Sequence, residues 1–210
     1  MLIRIETIVR GLLEETGGSH DWEHTRRVVG LSRTIGAAEG ADMEVVIAAA
    51  FLHDIGRNHQ DGSNGKICHA QKGARMAEAM LENFSLSAER KANILHCVAA
   101  HRFRRPPEPG TLEAKVVFDA DKIDAIGAVG VARAYLFAGE LGAKLHNPDI
   151  DVEKAPAYSK DDTGFREYRV KLRHIKDRML TKTGKKMAEA RHRFMETFFE
   201  QFLTEYSGEV

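Results

Sequence analysis

An adjacent histidine and aspartate, His53-Asp54, stand near the end of residues 43–57, MEVVIAAAFLHDIGR, where almost every other side chain is apolar. A helix apolar on nearly every face belongs at the centre of a core, because a surface helix shows a polar stripe every third or fourth residue. A carboxylate buried there needs compensation, since desolvation raises its pKa or destabilises the fold by roughly several kcal/mol. Taken alone, the pair admits a bland explanation: His53 and Asp54 bond to each other or cap the helix before Gly56. Two more polar intrusions into apolar helices, His24 and Asp119, change that balance. Two imidazoles and two carboxylates form a mixed nitrogen and oxygen donor set suited to Mn²⁺, Fe²⁺, Co²⁺, Ni²⁺ or Mg²⁺, and the lack of thiolates argues against structural zinc. Two aspartates neutralise a divalent ion, which in turn lowers the pKa of water and polarises a phosphoryl group.

Other residues fit phosphate chemistry, each with a plainer rival. Lys122 lies three residues after Asp119, shares its helical face, and either stabilises charge gathering on an attacked phosphate or neutralises Asp119 or Asp121. Asp121 then points the opposite way, toward solvent. Arg27, three residues after His24, reaches the same cavity or pairs with Glu23. His69 and His101 suit phosphate contact, proton donation to a leaving group or a second metal, and equally suit structural helix ends. Asp124 orients Lys122 or the nucleophilic water, or else caps a helix.

These residues must be positioned by helices. Helical spacing covers residues 2–15, then a second helix capped by Ser19 or Asp21 and stopped at Gly40, then the central helix. A polar, glycine-rich stretch from Arg57 to Lys66 reads as a loop that covers or admits a ligand. Helices follow over 67–83 and 87–101, and the prolines after Arg102 break the second. Residues 111–139 are apolar, with Gly127 and Gly130 allowing a bend or close contact, and 140–163 reads as a long surface excursion. Two amphipathic helices, 164–180 and 184–206, complete the chain, the latter with an aromatic stripe from Phe194 to Phe202 that is core or a homodimer face. No convincing strand alternation appears, so the fold class is all-α.

Bulk properties narrow the setting. Lysine plus arginine equals aspartate plus glutamate at 31 each, so no overall field draws the chain to nucleic acid, and stable nucleic-acid binding is not expected. Cys68 and Cys97 lack metal-ligand spacing and make no disulfide framework. No secretory pattern opens the chain and no apolar run reaches the roughly 20 residues of a membrane span, which leads to the expectation of a cytoplasmic protein. One domain over residues 1–210 is expected, with a metal-binding core at about 20–135.

The order His24, His53-Asp54, Asp119 resembles the HD superfamily of metal-dependent phosphohydrolases, with HDIGR at the double residue. HDWEHTRRV from His20, AAFLHDIG from Ala49, EAKVVFDADKIDAIGAVGVAR from Glu113 and the terminal TGKKMAEARHRFM resemble one bacterial and archaeal subgroup, the HD-domain nucleotide pyrophosphohydrolases. The resemblance implies an HD-type helical fold with extra C-terminal helices, a manganese-type ion held by His24, His53, Asp54 and Asp119, and a phosphorylated small-molecule substrate. Nucleoside or deoxynucleoside triphosphates would be cleaved to monophosphate and pyrophosphate. Activated water attacks phosphorus in line, Lys122 stabilises the added charge, and a histidine assists departure. Departures from other branches are informative: Ile55-Gly56-Arg57-Asn58 stands where stringent-response hydrolases carry an acidic pair, and Arg102-Phe103-Arg104-Arg105-Pro106-Pro107 stands in place of the Gly-Tyr-Pro signature of cyclic-dinucleotide enzymes. The rival readings are a phosphomonoesterase or cyclic phosphodiesterase, a non-catalytic nucleotide-binding module, and an oxygen-activating di-iron enzyme using His69 and His101 for its second iron.

Overall fold

The computed structural model describes residues 1–13, 22–63, 66–102 and 106–209, and among these it contains helices and no strands. The all-α expectation holds. The chain forms two compact units, Met1–Asp121 and Lys122–Val210, where the sequence suggests one domain. The boundary falls inside a helix.

In the first unit, α1 (Leu2–Leu13), α2 (Trp22–Glu39), α5 (His69–Leu81) and α6 (Ala88–Ala100) surround α3 (Met43–Leu52). Every residue of α3 from Val45 to Leu52 is buried, as a helix without a polar face requires. Each fully buried valine, leucine, isoleucine or phenylalanine contributes roughly 1.5–3 kcal/mol. The start of α3 is fixed by Asp42, whose side chain accepts from the N–H groups of Glu44 (3.0 Å) and Val45 (3.4 Å). Asp42 also accepts from Arg90 of α6 at 2.9 Å, and its own N–H donates to Glu113 at 2.9 Å. Asn93 of α6 donates to the other oxygen of Glu113 at 2.9 Å and accepts from Thr111 at 2.7 Å. The beginnings of α3 and α7 (Leu112–Asp124) are thereby tied to α6.

The polar stretch after the His-Asp pair is not a plain loop. After a turn at 53–56, residues Arg57–Gly62 form the short helix α4, begun by bonds from Arg57 N–H to Asp54 O (2.9 Å) and from His59 N–H to Gly56 O (3.2 Å). The caps Ser19 and Asp21 lie outside the described residues, as do His20 and the arginines at 104 and 105.

In the second unit, α8 (Gly127–Glu140) packs on α9 (Gly164–Val170) and on α10 (Lys182–Tyr206). Gly127, at φ 78°, ends the run of 111–139 as one helix and separates α7 from α8. The expected helix over 164–180 breaks at Lys171 (φ −138°, ψ −59°) and continues as the 3-10 helix Leu172–Arg178. Of the aromatic stripe, Phe199 is buried and stacks on Tyr168 at 4.3 Å, whereas Phe194 is 46 % exposed. Residues 140–163 are irregular after α8 ends but anchored: Asn147 donates to Asp161 at 2.7 Å, and Arg166 donates to Asp162 at 2.8 Å.

Candidate metal centre

The turn after α3 brings Asp54 against the start of α5, and a glycine makes the approach possible. A Cβ at Gly56 would run into the carbonyl oxygen of His69 and stand 2.6 Å from the amide nitrogen of Gly73. Both obstacles are backbone, so only glycine fits without a main-chain shift. His24 comes from the first turn of α2, His53 follows α3, His69 opens α5, and His101 closes α6. All four imidazoles are buried, and Asp54 is buried among them.

Among the described residues two sets of donor atoms converge, His24 with His53 and Asp121, and Asp54 with His69 and His101. Asp54 links the two sets. Its Oδ2 lies 3.8 Å from the Nε2 atoms of both His24 and His53, and its Oδ1 lies 3.5 Å from the Nε2 atoms of both His69 and His101. Asp121 Oδ1 is 3.4 Å from His24 Nε2.

The hydrogen bonds on the far side of three rings settle their tautomers. His53 Nδ1 donates to Ala50 O at 2.8 Å, His101 Nδ1 to Val98 O at 2.7 Å, and His69 Nδ1 to Gln60 Oε1 at 2.8 Å. Each partner is an oxygen that only accepts, so a proton sits on Nδ1, and in a neutral ring Nε2 presents a lone pair. Burial keeps two of these rings neutral: it pulls the His53 pKa down to about 4 and that of His69 to about 2, against the opposing pull of Asp54. His69 Nε2 and His101 Nε2 face each other at 3.0 Å. His53 Nε2 lies 3.3 Å from His24 Nε2. Bare imidazole nitrogens gathered around a carboxylate are the arrangement a cation relieves, and the second Nδ1 bond is what orients a metal-binding histidine. The donor set fits a divalent metal ion.

The sequence-derived candidates divide accordingly. His24, His53, Asp54, His69 and His101 come together. On α7 the sequence reading assigns Asp119 to the metal and Asp121 to solvent; in the structure Asp121 reaches His24, while Asp119 is wholly buried and belongs to neither converging set. Lys122, half-buried, directly follows Asp121. Asp124 is buried and accepts from Arg133 at 2.7 Å within the second unit, so it serves a buried ion pair there. Arg27 is half-buried, and the pairing with Glu23 weighed for it is made by Arg26 at 3.2 Å. Two residues escape the sequence reading: Arg57, whose Nη2 lies 3.4 Å from Asp54 Oδ2, and Gln60, which holds His69. Arg57 carries a faint signal, standing one helical turn after Asp54. Gln60 carries none.

The HD domain family matches residues 21–126. Over 98 % of its length the chain is 33 % identical to YpgQ of Bacillus subtilis, of which it covers 93 %. It superposes on the crystal structure of an HD-superfamily hydrolase from Bacillus thuringiensis with a TM-score of 0.78 at 30 % identity, covering 99 % of this chain and 97 % of the other. The crystal structure of Bacillus subtilis YpgQ in complex with ADP superposes with a TM-score of 0.74 at 30 % identity, covering 97 % and 94 %. By the family match and these similarities, the chain belongs to the HD-domain metal-dependent phosphohydrolases.

Proposed function

We propose that this protein is a nucleotide pyrophosphohydrolase, cleaving nucleoside or deoxynucleoside triphosphates to monophosphate and pyrophosphate with a manganese-type ion. The observation that carries the reading is the convergence of four buried imidazole Nε2 atoms on the two oxygens of Asp54, at 3.5 Å on one side and 3.8 Å on the other. Support for a nucleotide comes from the ADP complex of the similar YpgQ. The proposed ligands are His24, His53, Asp54 and Asp121, with His69 and His101 forming a second set through the other oxygen of Asp54. Asp119 is the acid that the resemblance alone would put in the place of Asp121.

When bound, the ion supplies Lewis-acid polarisation of a phosphoryl oxygen and lowers the pKa of water. The chain supplies the rest. Its Nδ1–H bonds hold three imidazoles in one tautomer and one orientation, so little reorganisation accompanies reaction. Arg57, beside Asp54, offers positive charge to a phosphate drawn to the centre. Lys122 offsets charge that develops on the attacked phosphate, and Arg27 contacts the substrate. His69 and His101 act as donors to a cation through Nε2.

The test is a product-resolved turnover assay with Mn²⁺ against nucleoside and deoxynucleoside triphosphates. Monophosphate plus pyrophosphate is expected, with both turnover and metal retention lost in Asp54→Ala. Orthophosphate as the sole product overturns the pyrophosphohydrolase reading. The second donor set favours one further reading, a cyclic phosphodiesterase using two ions. A cyclic dinucleotide in the same assay, opened to a linear product while triphosphates persist, selects it.

A further inference from the structure

Residues 169–178, RVKLRHIKDR, concentrate five lysines and arginines against one acid in a chain whose charges balance overall. Most of these cations find partners. Lys171 pairs with Glu167 at 2.5 Å, and Lys176 reaches Asp177 at 3.4 Å and Glu189 at 3.6 Å. Arg169 and Arg173 are different. Together with Glu153, Val170 and His174 they line a cavity of about 400 Å³, built wholly within the second unit where α9 turns into the 3-10 helix. Arg169 Nη2 makes only a long contact to Glu153 at 3.4 Å, and its Nε is buried with no acceptor. A buried donor without an acceptor calls for a partner, and the rest of the half-exposed Arg169 side chain is open to one from solvent.

We infer that this cavity binds a phosphate-bearing anion, and that it does so apart from the metal chemistry, since none of its lining residues belongs to the proposed metal set. Two guanidinium groups against one carboxylate leave the cavity net positive. Guanidinium forks match phosphate oxygens in paired hydrogen bonds, which a lysine cluster would not do. The volume lies within the range of small-molecule sites, about 300–1,000 Å³, so it admits more than a bare orthophosphate. The break at Lys171 builds the site: an unbroken helix over 164–180 would have set Arg169 and Arg173 one turn apart on a single surface instead of around a concavity.

Calorimetric titration of the full-length, metal-loaded protein with inorganic pyrophosphate tests the inference. Arg169→Gln combined with Arg173→Gln should weaken one binding event about tenfold or more, the expected loss for hydrogen bonds to charged groups. Glu153→Gln, which removes the only acid in the lining, should tighten the same event and leaves the arginines in place. Unchanged isotherms in a double variant with native helical content overturn the site, and so does weaker binding in Glu153→Gln. If the double variant does not fold, the sign of the Glu153→Gln effect decides alone. Parallel titrations with orthophosphate and with a nucleoside monophosphate separate an inorganic ligand from a nucleotide. Loss of the proposed pyrophosphohydrolase activity would leave the result untouched, because the readout is binding at residues outside the metal set.

Discussion

Buried histidines occur in both units, and the contrast between them shows what makes a histidine available to a metal. In the first unit, His53, His69 and His101 each spend Nδ1 on an oxygen acceptor and turn Nε2 toward Asp54. In the second unit His146 is equally hidden, but it is held by ring edges: Phe165 at 5.1 Å, Phe202 at 6.0 Å and Tyr206 at 4.9 Å, all near perpendicular. Its Nδ1 has no hydrogen-bond partner, and Tyr206 donates to its backbone carbonyl at 3.3 Å. Burial alone therefore marks no site. An acceptor behind the ring and a carboxylate in front of it do.

Making the same substitution in both places gives the largest expected separation. His101→Phe should lower turnover by roughly 10–100-fold or more, on the scale known for disturbing a metal ligand's support, and should reduce the metal held per chain. His146→Phe should leave both unchanged, since phenylalanine fits among edge-on aromatic rings. Equal losses in kinetic assay and metal analysis would erase the contrast. A smaller effect is expected at Gln60→Leu, which frees the His69 ring to choose its tautomer while leaving every proposed ligand in place. Metal affinity should fall about tenfold or more, with the circular dichroism spectrum retained; unaltered affinity would show that His69 needs no such support.

The smallest effect concerns acid. Burial holds the His146 pKa below its ordinary value of 6.5, so the folded ring stays neutral after the unfolded one has taken up a proton. The unfolded state then binds more protons, and stability declines as the pH falls below about 6.5 toward the folded pKa. His146→Phe should lose less thermal stability than the parent between pH 7.5 and 5.5. Parallel unfolding temperatures would mean that His146 is charged or absent from the balance.

How far the chain itself disclosed this arrangement depended on local contrast. A polar pair inside α3 is conspicuous because eight consecutive residues, Val45 to Leu52, are buried. On α7 that contrast vanishes: Ala114, Val116, Val117, Phe118, Asp119 and Ala120 are all buried, so periodicity cannot say which acid faces His24. Asp121, slightly more open, reads as solvated, yet its Oδ1 lies 3.4 Å from His24 Nε2. His69 and His101 were recognisable as candidates, but their meeting depends on the packing of α5 against α6, which no spacing encodes. The break at Lys171 involves neither glycine nor proline, hence nothing in the residues around it announces the change of helix type.

The close pass at Gly56 sets the terms on which the centre can be re-engineered. Side chains around Asp54 can be exchanged to favour one ion over another, as ligand hardness dictates. The spacing between Asp54 and the start of α5 offers no such handle. It is enforced by contact between Gly56 and the main chain of His69 and Gly73, where a single methyl group already has no room. Selectivity is thus open to substitution at this centre, whereas its dimensions belong to the backbone.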